Sequence, residues 1–86
     1  MEIKIEGNVI RHTTNGFEID FTIKAGDRTY IVSNCHRGNT EQNVFEEGTE
    51  CYSGNIDIEN DGVIKTISAT LWVKPNNKCE CIYQQV

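Results

Sequence analysis

Alternation of apolar and polar residues with a period of two runs through most of this chain and constrains its fold more than any other feature. In residues 17–24, Phe17, Ile19, Phe21 and Ile23 share one parity while Glu18, Asp20, Thr22 and Lys24 share the other. Successive side chains of a strand point to opposite faces, so this segment offers one face to a core and one to water. The same pattern predicts strands over residues 2–12, 28–34, 49–59 and 63–73. Inward residues would be Ile3, Ile5 and Val9 in the first strand, and Tyr52, Ile56 and Ile58 in the fourth. In the fifth they would be Val63, Ile67, Ala69, Leu71 and Val73. A last run over residues 79–86, with Cys79, Cys81 and Tyr83 on one face, predicts an added edge strand.

The turn residues fall between these runs. Asn15-Gly16 and Asp61-Gly62 tolerate the positive φ angles of a tight hairpin turn, and Ala25-Gly26-Asp27 reverses the chain between the second and third strands. Gly7 and Gly54 sit inside strand patterns, where glycine marks a sharp bend or a close backbone approach. Residues 34–48 break the alternation. There Asn39 and Gln42 suit the start of a short helical turn ending at Gly48, which would let Val44 and Phe45 plug one end of a barrel.

With 86 residues there is room for one core, so residues 1–86 are read as a single domain. Hydrophobic residues at 37%, charged residues at 24% and a single proline describe a globular chain. No apolar run approaches the roughly 18 residues that cross a bilayer, and the N-terminal residues alternate charge with isoleucine. A cytoplasmic location with no membrane contact is therefore expected.

Three meandering strands, a short helical turn and a two-strand hairpin follow the order of an OB-fold. The expected fold is all-β: a small, OB-like, five-stranded Greek-key barrel with a helical turn between strands three and four and an extra C-terminal strand. Ile5-Glu6-Gly7-Asn8-Val9 resembles the opening strand of bacterial single-strand DNA-binding proteins and of primosomal protein B. Glu46-Glu47-Gly48-Thr49 followed by Ser53-Gly54-Asn55-Ile56 is similar to their fourth strand, and the resemblance covers roughly residues 3–73. It implies single-strand binding through basic groups and aromatic platforms, which here would be Arg11, Lys24, Arg28, Tyr30, Lys65 and Trp72, with Tyr83 as a further aromatic. The sequence departs from that family at Glu18 and Asp20 on the second strand and at the tight, acidic Glu59-Asn60-Asp61-Gly62 hairpin.

Charge points to a different partner. The net charge is −5, and no Lys or Arg occurs between Arg37 and Lys65, where Glu41, Glu46, Glu47, Glu50, Asp57, Glu59 and Asp61 all fall. Such a stretch is either a solvated face or an interaction surface, and it repels nucleic acid while favouring a basic protein surface. In size and charge the chain is similar to small acidic inhibitors of nucleic-acid-binding proteins found among phage and mobile-element anti-defence proteins. The leading expectation is a binding module, an inhibitor or adaptor, that presents these carboxylates to a basic protein; single-strand nucleic-acid binding is the alternative. Either a monomer or a homodimer is compatible with it.

Catalytic and metal chemistry find little footing. Cys35, Cys51, Cys79 and Cys81 with His36 and His12 lack the knuckle spacing of zinc sites, and without an export signal four free thiols are expected. Cys35 and His36 are adjacent, and adjacent residues of an extended chain point apart. No enzyme activity, metal or cofactor is therefore expected.

Overall fold

A computed structural model describes residues 1–13, 16–38 and 47–85. These residues form six strands, β1 (Glu2–Thr13), β2 (Ile19–Ala25), β3 (Arg28–Arg37), β4 (Glu50–Asn60), β5 (Val63–Val73) and β6 (Lys78–Gln84). Each strand pairs antiparallel with its neighbours in sequence, and β1 pairs with β6 to close the barrel.

The all-β barrel is as anticipated, but its connectivity is a closed up-and-down meander of six strands and not a five-stranded Greek key. The difference lies in β6. That segment is no edge strand: Cys79, Cys81 and Tyr83 pair with β5 on one side and with β1 on the other, and all three side chains are buried. The apolar face of β6 is thus needed to complete the core. The helical turn and the Val44 and Phe45 plug fall mostly on residues outside those described.

Inward residues of all six strands fill the barrel, with Phe21, Ile23, Val32, Ile56, Leu71 and Cys81 inaccessible to solvent. Gly7 is where β1 passes from β6 to β2, and a Cβ there would run into the Lys24 carbonyl. At Gly54 a Cβ would come 2.5 Å from Cys35 Sγ, so β3 and β4 approach closely only because that side chain is absent. The Asp61-Gly62 turn has φ of 53° and 79°, the tight hairpin geometry anticipated from the dipeptide.

Phe17 and Val63 do not take the inward positions expected of them: Val63 opens β5 beside the Asp61-Gly62 turn and is 57% exposed, and Phe17 is left out of its strand by register. A two-residue turn at Asn15-Gly16 would set Ile10 opposite Phe21, but the register pairs Arg11 with Phe21 and Thr13 with Ile19. That register keeps Val9 opposite Ile23 in the core and leaves a longer connection, so Phe17 lies outside β2 and is 94% exposed. On β3, Asn34 adopts a φ of 54° with its amide donating to Asp20 Oδ1 at 3.1 Å. The irregularity puts both Val32 and Cys35 in the core.

Candidate interaction surface

The strands are unequally paired along their length. β4 pairs with β5 over all of residues 50–60, whereas its pairing with β3 runs only from Arg37–Tyr52 to Val32–Ile56. On its other side, β5 pairs with β6 only from Ala69 onward. Residues 57–68 consequently leave the barrel as a two-stranded ribbon with the Asp61-Gly62 turn at its tip.

Register determines which residues share a face of this ribbon. Asp57 lies opposite Thr66 and Glu59 opposite Ile64, so these four point to one side, and the Thr66 hydroxyl donates to Asp57 Oδ1 at 2.8 Å. Between the ribbon and residues 28–31 of β3 lies an open groove of about 580 Å³. Asp57, Glu59 and Asp61 line it together with Arg28, Ile31 and Ile64. Ile31 is 51% exposed and Ile64 66% exposed, although each stands on the otherwise polar parity of its strand. The carboxylates are therefore set beside exposed apolar side chains.

The other acidic positions do not join this groove. Glu41 and Glu46 lie outside the described residues. Glu47 is exposed at the opposite end of the barrel. Glu50 begins β4, seven residues from Asp57 and hence on the order of 20 Å away along the strand. Its carboxylate is already engaged: Arg11 and Arg37 each approach to 2.8 Å, and the Tyr52 hydroxyl donates to it at 3.0 Å. Burial alone would raise the Glu50 pKa, but hydrogen bonds from Tyr52 and Arg11 and the two guanidinium charges outweigh it and hold the carboxyl below its ordinary range. Arg11 also lies 5.7 Å from the Phe21 ring centroid and 5.9 Å from that of Tyr52, so this cluster covers one end of the core.

The basic and aromatic positions are scattered. Arg11 belongs to the cluster just described. Arg28 lies beside Tyr30 at the opposite end, Lys24 is exposed on the outside of β2, and Lys65 stands on the ribbon. Tyr30 is half-buried against the core and Tyr83 is buried within it. Trp72 is half-buried on the outer face of β5, at a shallow groove with Asn34, Ser53, Asn55, Ser68 and Thr70, and among the described lining residues there is no Lys or Arg. Stacking platform and phosphate-pairing groups are not brought together there.

Glu80 is a buried charge that alternation alone does not reveal. It points outward opposite Trp72 and Glu6, yet it is only 5% exposed. Lys4 Nζ lies 2.9 Å from Oε1 and Lys74 Nζ 2.8 Å from Oε2. Desolvation would raise the pKa of this carboxyl, but hydrogen bonds and charge from both lysines lower it, so Glu80 is ionised.

All four cysteines are free and buried. Burial pushes the thiols of Cys35 and Cys79 up to about 11 and that of Cys81 to about 12. His36 is exposed, with Nε2 3.5 Å from Glu18, while Cys35 faces the core. Among the described residues no three His, Cys, Asp or Glu side chains gather as a metal site requires.

No protein-family model, curated protein or solved structure matches this chain.

Proposed function

We propose that this chain is a non-catalytic binding module, an inhibitor or adaptor, that docks the outer face of its β4–β5 ribbon on a basic protein surface. The observation that carries the reading is the sharing of one groove by Asp57, Glu59 and Asp61 with the exposed Ile31 and Ile64. Carboxylates of one sign steer a basic partner to the surface, and the isoleucines supply area whose burial stabilises the complex once formed. Glu50 takes no part in this surface, since it is bound to Arg11 and Arg37.

The test is affinity isolation from expressing cells, comparing the native chain with Asp57→Lys/Glu59→Lys, followed by direct titration of each recovered protein at two salt concentrations. A partner that is retained by the native chain, lost by the variant and weakened by salt supports the reading. Equal retention by both chains refutes it. Salt-sensitive binding of a labelled single-stranded oligonucleotide at micromolar protein would replace it with the nucleic-acid alternative.

A further inference from the structure

The fork between β3 and β4 has a backbone as well as a charge pattern. Beyond the Val32–Ile56 pair, residues 28–31 pair only with β2 and residues 57–60 only with β5. Among the described residues, no backbone hydrogen bond outside the strand ladders crosses the gap. In an antiparallel ladder alternate residues turn both their N–H and C=O to the same side. Each free edge of the fork thus presents donors and acceptors to the groove, and such an edge is a template for another strand.

We propose that this groove takes an extended, basic segment of the partner protein as an added β-strand along residues 57–60 of β4. The inference rests on the binding-module reading above and adds the backbone geometry of the contact. Residues directly opposite in an antiparallel pair have Cβ atoms about 4.5–5.5 Å apart, close enough for opposite charges to pair across strands. Asp57 and Glu59 are two residues apart on one face, so they match lysines or arginines at alternate positions of the incoming strand. The intervening side chains would face Ile58 and Tyr30, both half-buried, which favours β-branched residues there. Ile31 and Ile64 flank the basic positions and meet their aliphatic stems. A second copy of this chain is a poor occupant, because its own β4 edge would set carboxylate against carboxylate.

The experiment titrates the whole chain at low ionic strength with a fluorescent hexapeptide of alternating lysine and valine. Its companions are the same peptide N-methylated at either set of alternate backbone amides, and a version with glutamate for lysine. Strand addition is expected to give binding of the parent, a loss of about tenfold or more on methylation of one set of amides only, and none with the glutamate peptide. It should also slow amide exchange at alternate positions within residues 57–60. Equal binding of the parent and both methylated peptides, with no new protection there, overturns strand addition while leaving the acidic docking surface standing. No binding of any lysine peptide overturns both. A micromolar homodimer that itself protects residues 57–60 would show a second copy in the groove and overturn the basic occupant.

Discussion

Arg11 and Glu50 meet at 2.8 Å although they stand on β1 and β4, two strands that are not neighbours in the barrel. Their ion pair therefore bridges the end of the barrel and does not reinforce a ladder. The same guanidinium donates to the Tyr52 hydroxyl at 3.1 Å. Replacing Glu50 by Gln retains the shape and removes the charge, and with the site partly solvated the cost should be about 1 kcal/mol. Urea unfolding measures it as a lower midpoint at unchanged slope. Because Glu50 lies at the far end of β4 from the groove, peptide binding by this variant should equal that of the native chain.

Acid should destabilise the protein through Glu50 and Glu80. Both carboxyls are held below their ordinary range in the folded chain, so at acidic pH the unfolded chain binds protons more readily than the folded one. The stability they contribute is fully present above the unfolded carboxyl value of about 4.3 and disappears as pH falls through their lower native values. Thermal unfolding should thus show a fall in midpoint below about pH 5, and the double variant Glu50→Gln/Glu80→Gln should flatten that fall.

Lys4, Lys74 and Glu80 predict an asymmetry between two ways of breaking one cluster. Glu80→Gln leaves two lysines that can turn to water, since their side chains are 52% and 26% exposed, and should cost about 1–2 kcal/mol. The double substitution Lys4→Met/Lys74→Met leaves a buried carboxylate without its two cations, and should cost about 3–5 kcal/mol. Finding the first more damaging than the second in chemical denaturation would contradict the account of Glu80 as a charge kept ionised by its lysines.

Thiol chemistry offers an independent check on the core. Cys35, Cys79 and Cys81 are buried, with pKa values raised to about 11, 11 and 12, so little thiolate forms at pH 8 and what forms is shielded. Ellman's reagent should react slowly with the native chain, at a rate that follows unfolding, and should report four thiols at once in denaturant. Rapid reaction of the native protein at several sites would mean that β6 does not hold its place in the barrel.

The sequence was most legible where structure is local. Residues 63–73 form β5 with Ala69, Leu71 and Val73 buried as their alternation predicts, although Val63 at its start is exposed, and Asp61-Gly62 makes the turn its two residues favour. Phe21 and Ile23 face inward as alternation predicts, but Phe17 does not, because pairing ends at Thr13 and Ile19 and leaves Phe17 in the connection, and where a ladder ends is set by the partner strand. The closing role of β6 and the burial of Glu80 depend on pairing across the whole chain, and periodicity does not carry that information. The groove was half visible. Asp57, Glu59 and Asp61 stood out by charge, while Ile31 and Ile64 carried the one available signal, apolar side chains on a polar parity. That β3 and β4 part after Val32 and Ile56 follows from long-range register alone.

The pairing of β1 with β6 sets a timetable for assembly. Glu2 is paired with Gln84, so the barrel cannot close until nearly all of the described chain is available. Local hairpins can form early, but the β1 and β5 edges that receive β6 stay open until then, and contacts so distant in sequence form slowly. A nascent or truncated chain lacking β6 would expose two unfilled edges and is the species most prone to aggregate.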